Sequence, residues 1–294
     1  MINESKVEFS SGKGMCGALR FQVSKDSPWV VMAHGFGGTV ALGLHAYAEK
    51  YCEANYNVLA FDYRSFGMSS GTPRLTVNVK NQLEDWRSAI HYVQQQYPKS
   101  KIIIWGTSFG GGHVASMGAE NPENLIGIIS QVPHVNGFAS GLYGNKLTAL
   151  HCIIAGLRDE FRQLTHRSPL YIPVTGKPGE TATLTGHGEY EASEKLCESS
   201  GLDIKDNNVA ARSVLQVSSY TPEKRAKRIK VPWLVQIATR DLSTPPKVAR
   251  RAASKCNASK VLEYDSGHFE MYTEPLFSKV VSDQIRFLKE NKLT

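Results

Sequence analysis

Short apolar runs recur along the chain, each closed by glycine or charge, with helical periodicities between them. Trp29 to Ala33, Asn57 to Phe61, Ile102 to Trp105, Leu125 to Ser130 and Val231 to Ala238 contain no charged residue. Runs without polar alternation predict strands buried on both faces, as in a parallel sheet. Leu42 to Ala54 has helical spacing. Val79 to Tyr97 places Leu83, Trp86, Ile90 and Val93 on one face and is ended by Pro98, which predicts an amphipathic helix. Lys6 to Phe9 and Ala18 to Val23 alternate instead, around Gly12, Gly14 and Gly17, the pattern of an antiparallel hairpin at a sheet edge.

The resulting order of strand, helix, strand predicts an α/β fold, with a mostly parallel central sheet flanked by helices. It breaks at about His134. From there to Lys230 the sequence offers an apolar helix with Leu147, Leu150, Ile154, Leu157 and Phe161, an extended Tyr171 to Val174, a Gly/Thr-rich loop, and a helix near Asn208 to Tyr220. The core pattern resumes at Val231, with a helix after Pro245-Pro246, a strand at Val261 to Tyr264 and a closing amphipathic helix at Phe277 to Leu288. The expected organisation is one core in two parts, 1–133 and 231–294, with 134–230 as an inserted, mainly helical cap. Its Leu and Ile residues exceed what a surface linker would carry. Leu150, Ile154 and Leu157 are therefore candidates to line a substrate pocket.

Composition narrows the class. With 294 residues, 41% hydrophobic and 21% charged, the chain is ordinary for a globular protein, and no apolar run approaches a membrane span. The N-terminal residues Met1 to Lys6 mix charges without an apolar stretch, which predicts a cytoplasmic protein. Cys16, Cys52, Cys152, Cys197 and Cys256 are scattered, with neither CxxC nor Cys/His metal spacing, and read as reduced structural thiols. Part of the net charge of +7 clusters in Lys224, Arg225, Lys227, Arg228 and Lys230. No aromatic residue interleaves this run to stack on bases, so it reads as a solvated helix end rather than a nucleic-acid surface.

One turn carries chemistry. Ile102 to Trp105 runs into Gly106-Thr107-Ser108-Phe109-Gly110, which fits G-x-S-x-G. In that motif a sharp strand-to-helix turn lifts the serine hydroxyl clear of the sheet. Taken alone, the pentapeptide is equally a glycine-rich turn. A serine hydroxyl near neutral pH is a poor nucleophile and needs a base, which in turn needs a third group to hold it. Asp241 follows one late strand and His268 follows the next, and loops after parallel strands converge on one crevice. His268 would take the serine proton, and Asp241 would orient the imidazole and stabilise its charged form. His34-Gly35-Phe36-Gly37-Gly38 leaves the first buried strand and exposes backbone N–H groups.

These segments, together with Asp62 to Gly67, Thr239-Arg240-Asp241 and Ser266-Gly267-His268-Phe269, resemble an α/β-hydrolase over essentially the whole chain. The resemblance implies Ser108 as nucleophile, Asp241 as acid and His268 as base. It implies the backbone N–H groups of Phe36 and Phe109 as an oxyanion hole, and no cofactor or metal. Within that superfamily, Tyr171 to Glu180 and Asn208 to Tyr220 resemble the compact hydrolases related to X-Pro dipeptidyl peptidases, a group similar to the fungal polyketide transferases.

Other titratable residues have plainer expected roles. His113 falls in a glycine-rich helix as a buried, hydrogen-bonded histidine, and His34 shapes its loop. Asp265 is a rival acid, and Glu270 reads as a helix N-terminal charge. The expected reaction is cleavage of a small-molecule carboxylic ester or thioester through an acyl-enzyme on Ser108. Transfer of an acyl or polyketide group to an alcohol or amine is the alternative, because the two differ in whether the cap excludes water. A peptidase would need an acidic pair for the peptide amino terminus, and none is assigned. A non-catalytic binding protein would not need all three groups. An oligomer is left open.

Overall fold

The structure, a computed structural model, describes residues 2–294. Ten strands follow in chain order: β1 (Asn3–Ser11), β2 (Gly14–Gln22), β3 (Trp29–Ala33), β4 (Asn57–Phe61), β5 (Ile102–Thr107), β6 (Leu125–Gln131), β7 (Tyr171–Pro173), β8 (Asn208–Ala210), β9 (Trp233–Ala238) and β10 (Ser259–Tyr264). Eight of them form one sheet in the order β1-β2-β4-β3-β5-β6-β9-β10. β1 pairs antiparallel with β2, and β2 with β4; the remaining pairs are parallel. The fold is therefore the mostly parallel α/β sheet that the apolar runs predict. The edge hairpin is longer than expected, because β2 begins at Gly14. Gly17 belongs within it: a Cβ there would lie 2.6 Å from Cβ of Met68.

The helices are α1 (Leu44–Glu53), α2 (Val79–Gln96), α3 (Phe109–Glu120), α4 (Gly137–Tyr143), α5 (Lys146–Leu164), α6 (Glu189–Ser199), α7 (Ser213–Ser219), α8 (Pro246–Ala253) and α9 (Leu276–Glu290). Both sheet faces are covered, and the two-residue period of β5 shows how. Ile102 and Ile104 join a core with Trp86 of α2, Val114 of α3 and Ala249 of α8. Ile103 and Trp105 join the other core, with Tyr47 of α1 and Val280 of α9. Each buried isoleucine contributes roughly 1.5–3 kcal/mol relative to exposure. On the second face a buried amide network ties α9 to the sheet: Gln284 Nε2 donates to Gln131 Oε1 at 3.0 Å and Gln236 Oε1 at 2.6 Å.

Between β6 and β9 the chain leaves the sheet and forms α4 to α7 and the antiparallel ribbon of β7 and β8. The apolar helix is present as α5. The helix expected from Asn208 is not: Asn208–Ala210 is a strand that buries Val209 opposite Ile172, and the helix starts only at Ser213. Tertiary pairing overrides local propensity there. α6 occupies part of the stretch read as loop; it buries only Glu189, Ser193, Leu196 and Cys197, too few apolar positions to show a period. The basic run forms short 3-10 turns rather than a helix end, and its Lys and Arg side chains are solvent-exposed. No helix among the described residues is long and apolar enough to cross a membrane.

A buried ion pair joins α5 to the start of α7 within the segment between β6 and β9. Asp159 of α5 accepts from Arg212 Nε at 2.7 Å and Nη2 at 2.9 Å, and from the backbone N–H groups of Leu170 and Arg212. Four donors on one carboxylate, led against burial by the Arg212 guanidinium, hold its pKa below the ordinary value.

Candidate active site

The turn after β5 puts Ser108 at φ +53°, ψ −116°, a region costly for a residue with a Cβ. Its neighbours make that conformation accessible. A Cβ on Gly106 would lie 2.2 Å from the Gly110 carbonyl oxygen, and one on Gly110 would lie 2.5 Å from the His34 carbonyl oxygen. Only glycine lets the elbow close on itself and on the loop after β3.

Three strand ends deliver three side chains to one point. Ser108 follows β5, Asp241 follows β9 and His268 follows β10, all at the carboxyl edge of the sheet. Ser108 Oγ lies 3.1 Å from His268 Nε2, and His268 Nδ1 lies 2.7 Å from Asp241 Oδ2. With Nδ1 protonated toward the carboxylate, Nε2 is free to accept from the serine hydroxyl. All of Asp241 is engaged: Oδ1 accepts from the N–H groups of Ser243 at 2.8 Å and Thr244 at 2.7 Å, and Oδ2 accepts from the Thr244 hydroxyl at 2.6 Å. Burial disfavours the charged imidazole, but the Asp241 charge and hydrogen bond outweigh it, so the His268 pKa is raised above 6.5. An imidazole so held can take a proton from Ser108 and keep it while charge develops elsewhere.

The loop from His34 to Gly38 runs against the serine. A Cβ on Gly35 would lie 2.8 Å from Cβ of Ser108, so the Phe36 N–H sits in the residue next to that contact. Phe109 is the first residue of α3, where N–H groups have no carbonyl one turn earlier in the helix. The structure thus brings both N–H bearing residues alongside Ser108.

The other residues singled out lie elsewhere. His113 is buried, with Nδ1 3.0 Å from the Tyr220 hydroxyl and Nε2 2.9 Å from Gln82 Oε1; burial takes its pKa down to about 3. His34 is buried, and its Nδ1 donates to the Gly35 carbonyl at 2.9 Å, within its own loop. The Asp265 side chain is 87% exposed and pairs with Arg240 at 2.9 Å, so it does not compete for His268. Glu270 also meets Arg240, at 3.3 Å.

Ser108 borders two spaces. One is small, about 40 Å³, between His268, Tyr272, Phe269 and Val174. The other is a cavity of about 720 Å³, walled by Phe36, His134, α4, the start of α5 and residues 182–186 and 242–244. Leu150 lines it. Ile154 and Leu157 do not; they are a turn and two turns further along α5 and face solvent, while Ile153 and Cys152 take the wall position. The expectation that all three line one pocket is corrected: residues at this spacing share a helix face, and that face points away from the cavity beyond Leu150.

Sequence reasoning missed three contributors. Thr244 fixes Asp241; its signal was its place just after the acid, in Asp241-Leu242-Ser243-Thr244. Glu189 accepts from the Ser243 hydroxyl at 2.5 Å, from a helix that the sequence hid. His134 lines the large cavity with Nε2 buried and unpartnered among the described residues, and burial and the neighbouring His268 take its pKa down to about 4.

A sheet and a serine turn of this form define an α/β-hydrolase, and comparison with known proteins agrees. The chain belongs to the α/β-hydrolase family. A family model described as serine aminopeptidase, S33, matches residues 24–167. The quorum-quenching protein AidA of Acinetobacter baumannii is 38% identical over 287 residues, 96% of this chain and 93% of that protein. The polyketide transferase claH of Penicillium crustosum is 23% identical across 99% of this chain and 98% of its own length. The crystal structure of the α/β-hydrolase GrgF from a Penicillium species superposes with a TM-score of 0.82 at 20% identity, covering 99% of this chain and all of that one. The protein is thus an α/β-hydrolase enzyme, similar to the fungal polyketide transferases.

Proposed function

We propose that the protein is a serine hydrolase of a carboxylic ester or thioester, working through an acyl-enzyme. The observation that carries this reading is the continuous chain Ser108 Oγ, His268, Asp241 at 3.1 and 2.7 Å. Ser108 attacks the carbonyl carbon as His268 Nε2 takes its proton. The N–H groups of Phe36 and Phe109 hold the developing oxyanion, each donor contributing about 3 kcal/mol of transition-state stabilisation. His268 then gives the proton to the leaving alcohol or thiol. Water, deprotonated by the same imidazole, attacks the acyl-enzyme and releases the acid. No cofactor enters this scheme.

Residues 134–230 act as a cap over the site, and the cavity of about 720 Å³ receives the acyl part of the substrate. That volume suits a drug-sized acyl group. A lactone, as a cyclic ester, falls within the same chemistry, which is compatible with the quorum-quenching name of the AidA relative. A second reading is transfer of the acyl group to an alcohol or amine. The same large cavity favours it, having room for an acceptor beside the acyl chain, as does the transferase name of claH.

The test is intact-mass labelling with a fluorophosphonate, followed by turnover of p-nitrophenyl esters and acyl-thioesters with and without alcohol acceptors. One adduct on the wild-type protein and none on Ser108→Ala is the expected result. Equal labelling of Ser108→Ala would overturn the nucleophile assignment. A product ratio that follows acceptor concentration would favour transfer over hydrolysis.

A further inference from the structure

α5 is built the wrong way round for a helix of a lone molecule. It meets the rest of the chain through Cys152, Ala155, Gly156 and Asp159, small or ion-paired residues; a Cβ on Gly156 would lie 3.1 Å from the Ala211 carbonyl oxygen. Its large side chains face outward. Leu147, Leu150, Ile154, Leu157, Phe161 and Leu164 are all exposed, Leu147 by 61%, Phe161 by 62% and Leu164 by 76%.

The spacing of these six is three, four, three, four, three. That is the a/d repeat of a coiled-coil seam, sustained over the ~27 Å that 18 helical residues span. A stripe restricted to a and d is narrower than the broad apolar face by which a helix lies on a core. Polar and charged residues Lys146, His151, Arg158 and Glu160 border it on both sides. The six side chains of α5 alone expose on the order of 700 Å² per copy, with Leu150 turned partly toward the large cavity. A standard interface buries ~800 Å² per partner, and monomers seldom leave more than ~300–600 Å² of contiguous apolar surface.

We propose that this face is covered by a second copy of the chain, whose α5 packs antiparallel on the first across a two-fold axis. The seam fits itself in that arrangement, as an isologous interface requires. Leu147 meets the partner's Leu164, Leu150 the partner's Phe161 and Ile154 the partner's Leu157, each layer setting an a position against a d position. The two helix dipoles oppose. At the edges, Arg158 faces the partner's His151 and Glu160 faces the partner's Ile153, so neither Arg158 nor Glu160 meets its own copy near the axis. Leu150 and Ile153 also line the large cavity, so the partner helix closes that side of its mouth.

Sedimentation of the full chain at micromolar concentration should give the mass of two chains. Leu157→Glu should give the mass of one with circular dichroism unchanged, because Leu157 touches solvent rather than core, and its Tm should no longer rise with protein concentration as that of a dimer does. Oxidising the Ile154→Cys/Leu157→Cys double variant should trap a disulfide-linked dimer, against a quiet background of five buried native cysteines. Leu147→Cys alone should not cross-link, its counterpart being at the far end of the seam. The proposal is overturned by a wild-type chain that sediments as a monomer. Cross-linking through Leu147 in place of 154 and 157 would equally overturn it, as would a monomer that floats with phosphatidylglycerol vesicles, which would assign the face to a membrane surface.

Discussion

Thr244 donates twice to the carboxylate of Asp241, its backbone N–H to Oδ1 at 2.7 Å and its hydroxyl to Oδ2 at 2.6 Å. Oδ2 is the oxygen that His268 Nδ1 meets, so the hydroxyl fixes the face that the imidazole sees. Thr244→Val keeps the shape and removes the donor. A hydrogen bond to a charged group contributes ~1.5–3 kcal/mol, so kcat should fall about 10- to 100-fold with little change in KM. Thr244→Ser should restore most of it. An unchanged kcat in the valine variant would show that the two backbone donors suffice.

The His268 pKa sets the acid limb of activity. Burial lowers it, and the charge and hydrogen bond of Asp241 raise it further, above 6.5. The base must be neutral to accept the serine proton, so kcat/KM should rise with pH through a limb lying above 6.5 and level off beyond it. Asp241→Asn removes the charge that raises this pKa. The limb should then move to lower pH, and the plateau should fall by about 10⁴-fold as the favoured tautomer is lost. A limb that stays in place in the variant would assign the titration to another group. His34, His113 and His134 all have pKa values pushed below 6.5 by burial and lie outside that window.

The elbow leaves no room for a methyl group. Gly106→Ala would set a Cβ 2.2 Å from a backbone oxygen of α3, and Gly110→Ala would set one 2.5 Å from the His34 backbone. Backbone cannot swing aside as a side-chain tip can, so each should cost at least the ~1–3 kcal/mol of ordinary overpacking. Denaturant midpoints read the loss. Gly144→Ala, with nothing within 4 Å of its Cβ, is the control and should leave stability unchanged.

The core and the placement of the three candidate residues were legible because buried parallel strands leave uncharged runs. The turns that end them, Gly106 to Gly110 and Ser266 to His268, use residue types that few other geometries need. The inserted segment was less so. Val209 and Ile172 become strand residues only by pairing with one another, across a separation that no local window spans. α6 meets the core through so few apolar side chains that it leaves no period. The spacing of Leu147, Leu150, Ile154 and Leu157 was visible, but spacing fixes which residues share a face and not what that face meets. Here it meets solvent.

The Asp159–Arg212 pair should decide whether the segment between β6 and β9 keeps its own fold. Neither side chain reaches water to any extent, at 0% and 5% exposure. Asp159→Ala strands a buried guanidinium, which typically costs ~3–5 kcal/mol. The loss should appear as faster proteolysis within residues 134–230 before any global unfolding, because the sheet core does not depend on the pair. Cleavage inside the core at the same rate would show the two regions to unfold as one.

Chain-length preference should depend on the wall of the large cavity, and on one end of α5 only. Leu150 and Ile153 line that space together with Leu142 of α4. Replacing any of the three by alanine enlarges the cavity near its mouth, and each lost contact changes discrimination by ~1–3 kcal/mol. The ratio of kcat/KM for decanoyl to acetyl esters should therefore shift about 5- to 150-fold. Leu164→Ala, nearly four turns beyond Leu150, absent from the cavity wall and paired in the proposed dimer with Leu147, which also lies off that wall, tests the alternative that the whole α5 stripe binds substrate. It should leave the ratio within about two-fold, because a side chain that never touches the acyl group cannot distinguish one length from another. A Leu164→Ala shift as large as that of Leu150→Ala would place the acyl chain along the outer face of α5, outside the cavity beside Ser108.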